Sequence, residues 1–323
     1  MDCMSTQYMF INKLTNWKKI GLIIKPIFNS KWMVSHTAVP FAQPFSKSVI
    51  KIYFCVRDKL NKSQITNVYF DLIKNKITRN INKKPILTNG ELGTFDENGV
   101  TPSWLLNIKN KNYLYYVGWG SSKSTRMQLF AGLAISKKNN DIFKKVSKSP
   151  ILERNKVDPF LTATLCVLQD KNIFRMWYVS GDKWIKKDKE TFPKYNIKYA
   201  ESNDGINWIR TGKICINYKN GKEYAIARPS VIKVLDVYHM WYSYKQFNSE
   251  YKIGYATSNN GINWKRIDKC IGLETKDKKS WDSQMLAYPH VFKFKNNIYM
   301  LYNGNGYGMS GIGLAKLNQK IKI

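Results

Sequence analysis

Four carboxylates and one histidine stand at similar distances before five residues that recur along the chain. His36, Asp96, Asp158, Glu223 and Asp282 precede Pro40, Pro102, Leu165, Pro229 and Pro289 by four, six, seven, six and seven positions. Acids that share a confined site raise one another's pKa values, because like charges and desolvation both disfavour full ionisation. One carboxylic acid can then donate a proton while another acts as base or nucleophile. The spacing therefore indicates acid–base chemistry if the fold brings these residues together.

A strand pattern recurs with the same period. Its central aromatic residues are separated by 62, 62, 64 and 60 positions and are Phe54, Tyr116, Tyr178, Tyr242 and Tyr302. Residues 199–208 (YAESNDGINW) and 255–264 (YATSNNGINW) are two close copies of a strand followed by an Asn/Asp-Gly turn. Alternating aromatic residues and such turns are typical of β-hairpins. Five copies of a four-strand unit predict an all-β fold, a five-bladed β-propeller with four antiparallel strands per blade.

In a propeller the first strand of each blade lines the central channel, and the loops that enter these strands surround one mouth. We therefore expect Asp96, Asp158, Glu223 and Asp282 to lie at one mouth together with Arg228. Arg228 precedes Pro229 on a channel-lining strand, where an unpaired cation is costly. It is predicted either to pair with one of the acids or to hold an anionic group of the substrate.

The repeat fills the chain, so we expect one propeller domain over residues 1–323, with residues 1–30 as an N-terminal segment packing on it. The 43% hydrophobic and 14% aromatic residues suffice for a sizeable core. A longer insertion in the third blade, residues 181–195, is predicted to overhang a channel mouth.

The formal net charge of +31 has two possible explanations. A basic protein attracts anionic partners. Alternatively, the lysines reflect codon bias, because Lys, Asn and Ile are abundant together and the charges are scattered over predicted loops. Acids crowded at one mouth would repel nucleic-acid phosphates, so no nucleic-acid partner is expected.

The sequence lacks the features of metalloproteins, membrane-spanning proteins and secreted proteins. The five cysteines show no CxxC pair, and the three histidines are far apart, so neither a transition metal nor another cofactor is expected. No stretch approaches the ~20 apolar residues of a membrane span. The beginning of the chain lacks the pattern of a signal peptide. The expected location is the cytoplasm.

The blade pattern resembles the glycoside hydrolases of the family 32, 43 and 68 type. Closer still, the chain resembles the glycosidase-like propellers encoded among bacterial surface-polysaccharide and glycan biosynthesis genes. The segments that carry this closer resemblance are residues 32–36, 53–58, 90–100, 176–181, 223–230 and 302–306.

The resemblance implies chemistry on a glycosidic bond, for which one carboxyl group protonates the leaving oxygen and a second attacks or activates water. The hydrolase families place Asp, Asp and Glu in blades 1, 2 and 3, whereas this chain has Ser35 and His36 where the first Asp belongs. The same series appears one blade later. It implies Asp96 as base or nucleophile, Asp158 as the orienting group and Glu223 as the acid.

Each acid also has a structural alternative. Asp96, Asp158 and Asp282 fit Asx-type turns, and Glu223 fits a solvated loop. The further candidates for substrate binding are His36, Arg57, Trp119, Trp184, Arg228, Asp282 and Tyr288. His36 has a structural hydrogen-bonded role as its alternative, and Arg57 an ion pair with Asp58.

Three functions follow from these observations. The first is a hydrolase or transglycosylase of surface-polysaccharide metabolism that acts on a glycan, which carries acidic groups if the basic charge is functional. The second is a propeller of the same descent that binds a carbohydrate or sugar nucleotide without cleaving it. The third is a basic platform for macromolecules. The absence of the blade 1 Asp distinguishes the enzymatic function from the binding function, because cleavage of a glycosidic bond needs two carboxyl groups.

Overall fold

A computed structural model describes residues 14–26, 30–79, 81–138, 140–268, 271–273 and 277–318. These residues form twenty β-strands, one 3-10 turn at Gly306–Gly308 and no α-helix. The strands are β1 (Trp17–Ile24), β2 (Ser35–Pro44), β3 (Val49–Arg57), β4 (Ser63–Asp71), β5 (Lys76–Arg79), β6 (Val100–Ile108), β7 (Lys111–Gly120), β8 (Gln128–Lys137), β9 (Lys144–Lys145), β10 (Thr162–Asp170), β11 (Ile173–Lys187), β12 (Glu190–Ser202), β13 (Ile209–Ile216), β14 (Glu223–Val234), β15 (Val237–Gln246), β16 (Lys252–Ser258), β17 (Lys265–Arg266), β18 (Ala287–Phe294), β19 (Asn297–Asn303) and β20 (Ile312–Leu317). The prediction of an all-β fold is confirmed.

The strands pair antiparallel in sets of four, which we call units. Unit 1 is β2–β5, unit 2 is β6–β9, unit 3 is β10–β13, unit 4 is β14–β17, and unit 5 is β18–β20 with β1 beside β20. Units 3 and 4 belong to one eight-stranded sheet, because Tyr195 of β12 forms a parallel bridge with Ala225 of β14. The outer strand of unit 5 thus comes from the predicted N-terminal segment, whose residues 1–13 and 27–29 lie outside the described residues.

Two-residue turns join the first and second strands of units 2 to 5. They are Lys109–Asn110, Lys171–Asn172, Leu235–Asp236 and Lys295–Asn296, and their first residues have φ values of 46°, 56°, 52° and 52°. A left-handed conformation at this position matches the twist of the flanking strands, which is why short hairpins use it. The turns therefore fix the register between the first two strands.

Every first strand contains a bulge near its N-terminal end. The register against the second strand shifts between Ala38 and Phe41, Pro102 and Trp104, Thr162 and Leu165, Ala227 and Ser230, and Ala287 and His290. At three of these bulges the residue before proline has a φ of 54°, and these residues are Val39, Arg228 and Tyr288. A bulge re-aims a side chain and is common beside functional sites.

Side chains of neighbouring units hold these bulges. The amide of Val39 donates to Asn303 Oδ1 at 2.8 Å, that of Arg228 to Thr164 Oγ1 at 3.0 Å, and that of Tyr288 to Ser243 Oγ at 2.8 Å. The left-handed conformation is costly for residues other than glycine, so it persists only where the surroundings impose it. The contacts between units therefore determine the backbone at this end of the first strands.

The aromatic residues of the second strands are buried and join neighbouring units. Trp177 of unit 3 donates to the carbonyl of Gly261 in unit 4 at 2.7 Å. Tyr115 of unit 2 donates to the carbonyl of Gly205 in unit 3 at 2.7 Å. Both glycines lie in the repeated Asn/Asp-Gly turns and have φ near 75°, at 76° and 74°. The turns predicted from sequence therefore also bind the adjacent unit.

Candidate functional site

Asp158 occupies a buried network inside unit 3. Its carboxylate is 0% exposed and accepts hydrogen bonds from Tyr178 at 3.0 Å and Ser180 at 2.6 Å. Arg210 Nη1 and Lys198 Nζ pair with it at 2.8 and 3.2 Å. A buried carboxylate is stable as an anion when cations and hydrogen bonds surround it in this way. This environment favours a structural role for Asp158.

Units 2 and 5 repeat the arrangement. Asp96 accepts from Tyr116 at 3.0 Å and pairs with Lys145 of β9 at 2.6 Å. Asp282 accepts from Tyr302 at 3.1 Å and pairs with Lys19 of β1 at 2.7 Å. In each case the tyrosine belongs to the second strand of the unit, and the cation belongs to the outer strand. Each carboxylate thus connects the inner, second and outer strands of its own unit.

In unit 4 two acids make the contacts that a single carboxylate makes in units 2, 3 and 5. Glu223 pairs with both terminal nitrogens of Arg266, at 2.8 and 3.0 Å. Tyr242 donates instead to Asp268 at 2.5 Å, and Arg266 also pairs with Asp268 at 2.9 Å. Asp268 was not among the residues singled out from sequence, because it follows the fourth strand and not the loop before the first.

Arg228 contacts the first strands of units 1 and 2. Its guanidinium donates to the carbonyl of Ser103 at 2.5 Å and to that of Pro40 at 2.8 Å. The residue is 1% exposed, and burial lowers its pKa to about 10. Of the two roles predicted for Arg228, the ion pair with an acid is not found, because among the described residues only backbone carbonyls accept from this guanidinium. Contact with an anionic group of a substrate stays a prediction. Arg228 therefore ties unit 4 to units 1 and 2.

A cluster of tyrosines surrounds the re-aimed Tyr288. We define the tyrosine cluster as Tyr195, Tyr251, Tyr288 and Tyr307. The hydroxyl groups of Tyr195 and Tyr251 are hydrogen-bonded to each other. The Tyr251 ring lies 5.7 Å from that of Tyr288 and 6.1 Å from that of Tyr307. The cluster combines residues of units 3, 4 and 5.

Lys245 provides a cation within this cluster. Its Nζ donates to the Tyr307 hydroxyl at 2.5 Å and lies 5.7 Å from the Tyr251 ring centroid. Glu250 is 3.4 Å from the same nitrogen. Burial is the largest single influence and lowers the pKa of Lys245, but the hydrogen bond with Tyr307 and the electrostatic interactions with Tyr224, Tyr307 and Glu250 together raise the pKa of the ammonium group above its usual value. The site therefore holds a charged lysine among neutral phenols, since burial raises the pKa values of Tyr195, Tyr251 and Tyr288.

His36 and Arg57 lie on the unit 1 side of Tyr288. Burial and the charge of Arg57 lower the pKa of His36 to about 4, so this histidine is neutral at pH 7. The same guanidinium opposes the rise in the pKa of Tyr288 that burial causes. Arg57 donates to Asn61, while Asp58 accepts from the amides of Leu60 and Lys62. Of the predicted substrate-binding residues, Arg57 thus lies within electrostatic range of both His36 and Tyr288.

The two predicted tryptophans have different surroundings. Trp119 donates to Thr101 Oγ1 at 2.9 Å and is half-buried against the main core. Trp184 lies opposite Pro193 on the long β11–β12 hairpin. On the same hairpin, Phe192 packs edge-on against Tyr224 and Phe247 of unit 4. The insertion predicted from sequence therefore packs on unit 4, and its last residue, Tyr195, belongs to the tyrosine cluster.

Sequence reasoning missed Lys245, Tyr195, Tyr251 and Tyr307. Lys245 lies one residue before the end of β15, beside the beginning of the first strand of unit 4, and this position is a usable signal. The described residues contain no group of three or more His, Cys, Asp or Glu side chains placed to hold a metal ion. The same part of the chain contains no helix that is long and apolar enough to cross a membrane.

Known structures define the class of fold. A glycoside hydrolase matches 100% of this chain over 98% of its own, with a TM-score of 0.76 and 16% identity. The β-1,2-mannobiose phosphorylase of Listeria innocua, solved with β-1,2-mannobiose, matches 95% of this chain over 96% of its own, with a TM-score of 0.67 and 11% identity. The fold is therefore that of glycoside hydrolase-like, propeller-like proteins.

Sequence comparison shows the family. The chain is 34% identical over 301 residues to the uncharacterized protein Rv1502 of Mycobacterium tuberculosis, covering 93% of this chain and 99% of that protein. This protein belongs to the family of Rv1502. The 1,2-β-oligomannan phosphorylase of a Thermoanaerobacter species is 27% identical over 142 residues, 42% of this chain and 47% of that enzyme. No protein-family model matches the chain.

Proposed function

We propose that this protein binds a glycan at the tyrosine cluster, and that the glycan carries acidic groups. The observation that carries the proposal is the position of Lys245, whose ammonium group lies against the rings of Tyr251 and Tyr307. Aromatic rings pack against the C–H faces of sugars, and phenol hydroxyls bind sugar oxygens. Lys245 supplies positive charge beside Tyr251 and Tyr307, and Arg57 supplies positive charge within electrostatic range of Tyr288.

The proposal includes the architecture that forms the site. Units 1 to 5 are interpreted as five propeller blades in a single domain over residues 1–323. Hydrogen bonds of Arg228 to units 1 and 2 support a closed ring, since they connect first strands of blades that are not sequence neighbours of unit 4. The resemblance to glycosidase-like propellers supports a role in bacterial surface-polysaccharide metabolism, in the cytoplasm.

Glycosidic-bond cleavage or transfer is the second candidate function. The fold shared with glycoside hydrolases and phosphorylases favours it. In that case Asp96 remains the proposed base or nucleophile, Asp158 the orienting residue and Glu223 the acid. The residues proposed to surround the substrate are His36, Arg57, Trp119, Trp184, Arg228, Asp282 and Tyr288. The ion pairs of these acids within their own units favour the binding function.

A glycan array followed by calorimetry tests the proposal. The array carries uronate-containing, phosphorylated and neutral oligosaccharides, and the strongest ligand is then titrated into wild type, Lys245→Met and Lys252→Met. Lys252 is an exposed residue of β16 and serves as the control. We expect Lys245→Met to weaken binding about tenfold. The substitution removes the partly buried ammonium group, which makes cation–π contacts and donates hydrogen bonds in the site. Equal binding by all three proteins would contradict the site.

The same ligands distinguish binding from catalysis. Each bound glycan is incubated with stoichiometric protein, with and without inorganic phosphate, and the products are separated by anion-exchange chromatography. A cleaved or transferred product supports the second candidate. An intact ligand after many half-lives of binding supports a binding protein.

A further inference from the structure

A cavity of about 280 Å³ opens beside the tyrosine cluster, between the β11–β12 hairpin and the segment after β15. Its lining includes Lys187, Phe192, Tyr224, Lys245, Phe247 and Glu250. Lys245 belongs to this lining and also contacts Tyr307. The cavity and the tyrosine cluster therefore adjoin at one side chain.

We propose that this cavity is a second sugar subsite, which takes an acidic sugar residue of the glycan chain bound at the tyrosine cluster. The proposal rests on the proposed function, because a subsite has a role only if the neighbouring site holds a glycan. It identifies the ligand as an oligosaccharide with an anionic residue next to the one at Tyr288.

The aromatic wall of the cavity is fixed before any ligand arrives. Tyr224 and Phe247 are stacked with their ring centroids 4.4 Å apart and their planes 19° apart. Phe192 packs edge-on to both rings at 6.1 Å. Such mutual packing holds the rings in place, so binding a sugar against them costs little side-chain entropy.

The charges around the cavity select an anion. Lys245 has Glu250 as a partner at 3.4 Å, so part of its charge is already compensated. Lys187 forms no ion pair within the described residues, and its Nζ lies 5.7 Å from the Phe247 ring centroid. A sugar ring packed against Phe247 would bring its anionic group to Lys187, while Glu250 can accept a hydrogen bond from a sugar hydroxyl. Lys187 is therefore the residue that binds the acidic group of the sugar, which is a carboxylate or a phosphate.

Matched acidic and neutral probes test this assignment. Oligogalacturonides of one to four residues are compared with their methyl esters, and phosphorylated oligomannosides with their dephosphorylated forms. Each probe is titrated into wild type, Lys187→Met, Phe247→Ala and Lys189→Met. Lys189 lies at the exposed tip of the same hairpin and is the matched control. Thermal denaturation of each variant confirms that it is folded.

We expect an acidic disaccharide to bind wild type more than tenfold better than the monosaccharide. Lys187→Met should bind the preferred acidic probe about five- to tenfold more weakly and its neutral counterpart equally well, because only a charge–charge contact is removed. Phe247→Ala should weaken both by about tenfold, since a packed aromatic surface is lost. Lys189→Met should behave as wild type.

Two results would contradict the proposed subsite, and they differ in whether the proposed glycan-binding function also fails. If wild type binds glycans and Lys245→Met impairs binding, but Lys187→Met and Phe247→Ala do not, the subsite is wrong and the proposed function stands. If wild type binds no oligosaccharide of either panel, the proposed function fails and the subsite fails with it.

Discussion

Tyr178 donates a hydrogen bond to Asp158, the residue that precedes it by 20 positions, at 3.0 Å. The same separation of 20 joins Tyr116 to Asp96 and Tyr302 to Asp282. In units 2, 3 and 5 the carboxylate that precedes the first strand thus has the same partner, a tyrosine of the second strand. This relationship explains the spacing of the acids through the stability of the units, without requiring them to share a site.

Replacement of Asp158 by asparagine tests the structural role. The substitution leaves Arg210 and Lys198 buried without their counter-charge, and loss of one partner of a buried ion pair costs about 3–5 kcal/mol. We expect Asp158→Asn to lower the free energy of unfolding by this amount, measured by urea denaturation. Glu153→Gln, at a nearby exposed position, should change it by less than about 0.5 kcal/mol.

A catalytic role for Asp158 would give a different pair of results. The variant would then keep the stability of the wild type and lose turnover of a glycan that the wild type cleaves. Stability and turnover measured on the same preparation therefore separate the two roles.

The histidines make stability depend on pH. Burial, together with a neighbouring cation, lowers the pKa values of His239 and His290 to about 3, from 6.5. The unfolded chain therefore binds more protons than the folded protein once the pH falls below about 6.5, and stability decreases as the pH decreases. We expect losses of up to about 1.4 kcal/mol per pH unit for each histidine between pH 6.5 and 4.5.

Unfolding free energies at pH 7.5, 6.5, 5.5 and 4.5 check this expectation. His239→Gln keeps a partner for the Tyr255 hydroxyl, which lies 2.7 Å from His239 Nδ1, and should flatten the dependence. His36 contributes over a narrower range, since its pKa is lowered only to about 4. A His239→Gln protein with the same slope as wild type would show that this histidine does not titrate on unfolding.

The sequence predicts the strands better than it predicts the site, and the reason is physical. Tyr116, Tyr178 and Tyr302 mark the second strands because a repeated packing environment requires the same residue type each time. The tyrosine cluster is not repeated. Tyr195 and Tyr251 are 56 positions apart and meet only where units 3 and 4 pack together. Contacts of this kind depend on how the units are placed relative to one another, and the sequence repeat carries no information about that placement.

The outer-strand cations illustrate the same difficulty for the acids. Lys145 and Arg210 belong to a strongly basic chain in which no single lysine or arginine attracts notice. Their ion pairs with Asp96 and Asp158 follow only once the outer strands are placed. The sequence therefore singles out the acids but not the lysine and arginine residues that pair with them.

The turn between β14 and β15 offers a stabilising substitution. Leu235 is 66% exposed and has a φ of 52°, a conformation that costs an L-residue other than Asn, Asp or Gly roughly 1–2 kcal/mol. We expect Leu235→Asn to raise the free energy of unfolding by about 1 kcal/mol, measured in urea. Leu60→Asn is the control, because Leu60 is 77% exposed and is not among the residues with positive φ. An equal gain in both variants would show that removing an exposed leucine, and not turn geometry, is responsible.

Asn303 connects units 5 and 1, and its truncation should be costly. Its side chain accepts from the amide of Val39 at 2.8 Å and donates to the carbonyls of Thr37 at 2.7 Å and Gly311 at 2.8 Å, all in a buried site. Asn303→Ala leaves these groups unpaired away from water, at about 1–3 kcal/mol for each unsatisfied group. We expect a loss of about 3 kcal/mol in urea denaturation. Hydrogen exchange should show faster exchange at the Val39 amide, because its acceptor is gone. Asn297→Ala, at the start of the same strand, should leave both measurements unchanged, and slow exchange at Val39 in the Asn303→Ala protein would contradict the role assigned to Asn303.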